Sequence, residues 1–253
     1  MLHFRTLLAA ALSCAAALAA LAAHAGEVQV AVASNFTGPM QKIAPMFEQD
    51  TGHKAILGFG STGRFYAQVR NGAPFEVLLA ADDETPQRLI EDGYAARGTD
   101  FTYAKGRLVL WSAQPGLIDS SATVLRSGRF DKLAIADPRL APYGLAAMET
   151  LTTLRIAEVS EPKLVRGENI SQAYQFVATG NAQLGFVALS QVMQDGKITQ
   201  GSYWMVPGSM YTAILQNAVI LTKGKDNPAA AALVEYLRSD KARAVIRGYG
   251  YEF

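Results

Sequence analysis

The chain has 253 residues, enough for one large domain or two small ones, with 23 Lys plus Arg against 22 Asp plus Glu and a formal charge of +1. That balance supplies no global field for nucleic acid or an anionic membrane, and neither is expected as a partner. His3, His24 and the lone Cys14 all lie in the first 25 residues, so the rest of the chain has no disulfide, no Cys-rich zinc site, and His53 as its one candidate base for a serine nucleophile.

Residues 1–25 open with Arg5, continue through an apolar run from Leu7 to Ala23, and end in Ala23-His24-Ala25. This is the pattern of a secretory signal peptide cleaved after Ala25. Cys14 sits inside the apolar run, which argues against a lipid anchor. No later stretch approaches the roughly 18 apolar residues that a span requires. The mature protein is therefore expected to be soluble, periplasmic and monomeric, and its lack of cysteines suits an oxidising compartment.

Beyond the leader, Val28, Val30 and Val32 alternate as a strand, and Met40, Ile43, Ala44 and Phe47 follow at helical spacing up to Gly52. A strand over Ala55–Phe59, a helix over Thr62–Val69, a buried strand over Phe75–Ala81 and a helix through Leu89 and Ile90 come next. This βαβαβα order predicts a parallel sheet covered by helices. A second cycle starts at Leu108–Trp111, with a strand over Ala134–Ala136, a helix over Gly144–Leu154, and a helical face of Ile170, Ala173, Tyr174 and Val177. Leu184–Leu189 reads as a buried strand. Thr212–Leu221 reads as a long strand that could cross between lobes, and helices around Leu233 and Val245 close the chain. The fold class predicted is α/β and bilobed, with a hinge and a ligand cleft. Lobe one is expected to hold residues 26–104 and 216–253, and lobe two residues 105–215.

In open α/β sheets ligands collect beyond the carboxyl ends of strands, at the starts of the following helices. Those loops are alike here: Ser34-Asn35-Phe36-Thr37-Gly38, Gly60-Ser61-Thr62-Gly63, Pro142-Tyr143-Gly144 and Gly167-Glu168-Asn169. A helix start carries unpaired N–H donors and about half a positive charge, so several aimed at one cleft make an anion site. Each loop alone also fits ordinary capping, and Asn169 with Gln172 has a capping-box pattern; the repetition in both halves is what points to a ligand. Neutral hydroxyls and N–H groups suit a fully ionised oxyanion, which offers only acceptors. Asp137 reads as a turn residue, Glu168 as solvated, and Arg64 and Arg166 as surface charges. Five to seven charge-assisted hydrogen bonds of about 1.5–3 kcal/mol each would leave sub-micromolar affinity after desolvation of the ion.

These loops resemble those of the periplasmic molybdate-binding proteins of bacterial ATP-driven molybdate importers. The resemblance runs over nearly the whole mature chain, on Val30-Ala31-Val32-Ala33-Ser34-Asn35-Phe36, Gly60-Ser61-Thr62-Gly63, Asn71-Gly72-Ala73-Pro74-Phe75-Glu76-Val77 and Ala136-Asp137-Pro138. It continues through Pro142-Tyr143-Gly144, Gly167-Glu168-Asn169-Ile170, Gln183-Leu184-Gly185-Phe186-Val187 and Gly248-Tyr249-Gly250-Tyr251. It implies a tetrahedral molybdate or tungstate ion held between two lobes by Ser34, Ser61, Tyr143 and Ile170, the last two through backbone N–H groups, with delivery to a membrane permease and its ATPase. It implies no cofactor, no bare metal ion and no catalytic residue.

The match has one departure. Familiar members carry a tyrosine after the late strand, where this chain has Ala188, and a small residue where it has Tyr143. Asn35, or alternatively the Tyr143 hydroxyl, is expected to supply the missing donor. A rigid ring of donors sized for molybdate would hold the smaller sulfate with stretched bonds, which weaken steeply. The rivals are a receptor for sulfate, phosphate or an organic acid, an exported hydrolase built on Ser34 or Ser61 with His53, and a tyrosine-based iron receptor.

Overall fold

A computed structural model describes residues 25–253, and the expected leader lies outside them apart from Ala25. β1 (Glu27–Ala33) passes through a 3-10 turn (Ser34–Phe36) into α1 (Thr37–Thr51). β2 (Lys54–Gly60) leads to α2 (Thr62–Arg70), β3 (Val77–Leu79) to α3 (Glu84–Glu91), and β4 (Phe101–Gly106) is followed after one residue by β5 (Leu108–Ser112). Then come α4 (Thr123–Ser127), β6 (Leu133–Ala136), α5 (Pro142–Thr153), α6 (Ala157–Ser160), β7 (Leu164–Gly167), α7 (Ile170–Ala178), β8 (Leu184–Ala188) and α8 (Leu189–Val192). A small hairpin of β9 (Met193–Gln194) and β10 (Lys197–Ile198) precedes β11 (Ser202–Met205). β12 (Ile214–Ile220), α9 (Pro228–Tyr236) and α10 (Asp240–Gly248) end the chain.

The strands form two five-stranded sheets, β2-β1-β3-β12-β4 and β11-β5-β8-β6-β7. Neither is purely parallel, which corrects the expectation for the first half. β1 is parallel to β2 and β3, but β12 runs antiparallel to both β3 and β4. The reason is connectivity. β1 to β4 all end toward the second lobe, whereas β12 has just returned from it and must start there. β12 lies wholly in the first sheet and does not itself cross. In the second sheet β6 is parallel to β7 and β8, and β5 is antiparallel to β8 and β11. Sheet membership changes at Arg107 and again between Met205 and Ile214.

Each sheet is buried on both faces. In the first, Val28, Val30 and Val32 pack with α1, α9 and α10, while Ala31, Leu78 and Val219 pack under α2 and α3. Successive β1 residues thus serve opposite layers, as the period of two requires. The second lobe has one core around Leu108, Leu110, Ile135, Phe186 and Val187, joined at the cleft by Ala33 and Ala81 of the first. No described helix is long and apolar enough to cross a membrane.

Candidate functional site

The parallel register fixes where the candidate residues lie. Ala33 pairs with Gly60, so Ser34 and Ser61 leave adjacent strand ends side by side. From the second lobe, Ala136 pairs with Gly167, so the chain leaves β6 and β7 at one level and starts α5 and α7 beside each other. Tyr143 is the second residue of α5 and Ile170 the first of α7, so neither N–H has a carbonyl in its own helix to reach. Pro142 opens α5, where its missing N–H costs nothing.

All five candidates, Ser34, Asn35, Ser61, Tyr143 and Ile170, line one narrow pocket between the lobes with a free volume of about 10 Å³ and no charged side chain in its wall. That is room for little more than a water-sized guest, which excludes a drug-sized molecule and leaves a small inorganic ion as the fitting class. Ser61 is 3% exposed, and its Oγ has no partner. Although it stands at the N-cap of α2, its side chain caps nothing, so plain capping does not account for it. Ser34 Oγ likewise bonds to none of the described residues; its carbonyl accepts from Thr37 Oγ1 at 2.8 Å and Ser171 Oγ at 3.2 Å. Asn169, by contrast, is a cap: its Oδ1 accepts from Gln172 N at 3.0 Å, while Gln172 Oε1 accepts from Glu168 N at 2.6 Å.

The two residues expected to replace the missing tyrosine lie differently. Asn35 Nδ2 donates to Gln216 Oε1 at 2.7 Å and to Tyr251 Oη at 2.9 Å, so its amide hydrogens point away from the cleft. Tyr143 is fully buried and its Oη has no partner; burial holds its pKa well above the usual phenol value, so it stays a neutral hydroxyl. Ala188 is buried at the end of β8, where its N–H donates to Gln191 Oε1 at 2.9 Å, and it does not line the pocket. Sequence reasoning missed Gln216, Ser190 and the role of Tyr251. Gln216 had a signal, since a Gln inside the apolar strand Ile214–Ile220 needs a buried partner.

The lobes are closed over this pocket. Gly63 N donates to Leu140 O at 2.9 Å, and Ser190 Oγ donates to Asn35 O at 2.7 Å, both across the cleft. Arg64 and Glu168, expected as a surface charge and a solvated carboxylate, form an ion pair from α2 to the loop before α7. Both are about half exposed, so the pair should contribute only about 0.2–1 kcal/mol. Arg64→Ala is therefore expected to weaken ligand binding less than about fivefold, and less again at high salt, measured by calorimetry. Asp137 is a turn residue as expected: its Oδ1 accepts from Arg139 N at 3.0 Å, and the Arg139 side chain holds its carboxyl below the ordinary range. Arg166 pairs with Glu161 on the surface.

His53 lies at the wrong end for catalysis. It precedes β2, whereas Ser61 follows it, and seven strand residues span roughly 20 Å. Its Nδ1 accepts from Gly26 N at 3.1 Å. Among the described residues no cluster of three His, Cys, Asp or Glu could hold a metal ion.

The profile of bacterial extracellular solute-binding proteins matches residues 28–252. The chain is 61% identical over 236 residues to the molybdate-binding protein ModA of Azotobacter vinelandii, covering 93% of this chain and 94% of that one. It is 51% identical over 233 residues to ModA of Rhodobacter capsulatus, covering 92% and 90%. Its fold superimposes on the solved periplasmic molybdate-binding protein of Azotobacter vinelandii with a TM-score of 0.86 at 39% identity, over 89% of this chain and 99% of the other.

Proposed function

The chain belongs to the bacterial extracellular solute-binding proteins, and on that footing we propose that it captures molybdate between its lobes and delivers it to the permease and ATPase of an ATP-driven importer. The observation that carries this reading is the small closed pocket whose wall offers neutral donors from both lobes and no carboxylate. A tetrahedral dianion presents acceptors in every direction, so each hydroxyl and helix-start N–H finds a partner and no buried cation is needed. The ligand set is Ser34 and Ser61 through their hydroxyls, Tyr143 and Ile170 through their N–H groups, and Asn35. Tungstate has the same shape and charge and is taken as a second ligand.

The names of the two relatives support molybdate over other oxyanions. Hydrogen phosphate would bring a donor of its own, and the pocket has no carboxylate to accept it. The protein is a receptor and not a hydrolase: Ser34 and Ser61 have no base within reach. It works in the periplasm as a monomer once residues 1–25 are removed, and its two lobes move as units about Arg107 and residues 206–213.

Calorimetric titration with molybdate, tungstate and sulfate tests the reading. Molybdate and tungstate should bind with sub-micromolar Kd and sulfate about 100-fold more weakly. A preference for sulfate, or no heat with molybdate, overturns it.

A further inference from the structure

Among the described residues four buried side-chain polar atoms lack a partner, and three of them, Ser61 Oγ, Tyr143 Oη and Gln216 Nε2, lie in or directly behind the cleft. Ser61 faces the ligand. The other two require a separate account, because a buried donor without a partner costs about 1–3 kcal/mol. Gln216 is wholly buried on β12 and accepts from Asn35 Nδ2. Asn35 uses Nδ2 twice, toward Gln216 and Tyr251, while its Oδ1 accepts nothing from the described residues. Yet Asn35 borders the pocket, where an amide oxygen is the wrong group to offer an anion. Tyr143 Oη and Gln216 Nε2 converge on one point: a Cβ on Gly106 would lie 2.2 Å from the first and 3.0 Å from the second.

We infer that Gln216 is a positioning residue for the anion site, acting by orienting Asn35. With molybdate bound, both amides are turned by half a rotation. Gln216 Nε2 then donates to Asn35 Oδ1, and Asn35 Nδ2 turns into the pocket. An amide's oxygen and nitrogen are nearly the same size, so the turn changes donor for acceptor without changing shape. The remaining bonds stay consistent. Ser190 Oγ keeps donating to Asn35 O at 2.7 Å, and the single Tyr251 proton passes from Asn35 O to Asn35 Oδ1. Gln216 Nε2 gains a partner, and the pocket gains a donor where Ala188 provides none. This inference rests on the oxyanion-receptor reading.

The test is molybdate titration of the wild type, Gln216→Leu, Asn35→Ala and the double variant, with unfolding temperatures of the ligand-free proteins measured alongside. Gln216→Leu should weaken molybdate about tenfold, yet in the Asn35→Ala background the same change should matter less than about twofold, because the group it orients is gone. Wild-type affinity in Gln216→Leu, or losses that simply add, overturns the assignment. If Gln216→Leu does not fold, Gln216→Met, alone and with Asn35→Ala, decides by the same criterion. A wild type that binds no molybdate removes the receptor reading itself, whereas a binding wild type with additive losses removes only the role of Gln216.

Discussion

Gly144→Ala is expected to lower the unfolding temperature by about 5–10 °C and to weaken molybdate at least about tenfold. Gly144 is the third residue of α5, and a Cβ there would lie 2.3 Å from Ala136 O, 2.8 Å from Ala136 C and 3.0 Å from Asp137 C. All three are backbone atoms at the end of β6, which no rotamer change can move aside. The helix start must lift off the strand, an overpacking cost of about 1–3 kcal/mol, worth roughly 2–4 °C per kcal/mol in a chain of this size. The functional loss follows from adjacency. Tyr143 precedes Gly144, so a shift of several tenths of an ångström carries its N–H off the anion, and Leu140, which closes on Gly63, moves with it. Thermal unfolding with and without molybdate, together with calorimetry, measures both parts. Unchanged affinity in a destabilised variant would detach the start of α5 from the site.

Ser61→Asp should abolish binding, and Ser61→Ala should reduce it by about 10–100-fold. The alanine removes one hydroxyl donor to a charged acceptor, about 1.5–3 kcal/mol, and leaves the backbone N–H in place. The aspartate adds a carboxylate to a position 3% exposed, within a few ångströms of a dianion. At an effective dielectric constant near 20, a unit charge and a double charge about 4 Å apart repel by roughly 8 kcal/mol, which exceeds the loss of any single donor. The order wild type, Ala, Asp in a titration series is therefore the expected result. An aspartate variant that still binds would place Ser61 outside the pocket.

The first three strand–helix units are readable from the sequence because apolar residues there recur at periods of two and 3.6 with glycine stops, as in Val28, Val30 and Val32 before Met40, Ile43 and Phe47. β4 and β11 are harder to read because they are short sheet edges with mixed burial: adjacent Tyr103 and Ala104 are both buried while Thr102 and Lys105 are exposed, and Trp204 is buried beside exposed Tyr203. Pairing direction is not a local property at all. β12 looks like any other apolar strand, and only its arrival from the second lobe makes it antiparallel. The same division holds within the site. Ser34, Ser61, Tyr143 and Ile170 can be named because each follows a strand or opens a helix. The orientation of the Asn35 amide is settled by Gln216, 181 residues away, and by Tyr251, 216 away.

The splice between β4 and β5 leaves Arg107 alone between the two sheets, whereas the return path has residues 206–213. One residue spans less than 4 Å, so this tether has no slack and serves as a pin, while the other can uncoil. Groups near the pin, Gly106 and Gln216, travel least when the lobes swing, and the far rim, where Gly63 meets Leu140 and Arg64 meets Glu168, travels farthest. Unlatching therefore begins at the rim and reaches the rear amides last, so the exit for the cargo opens at the front.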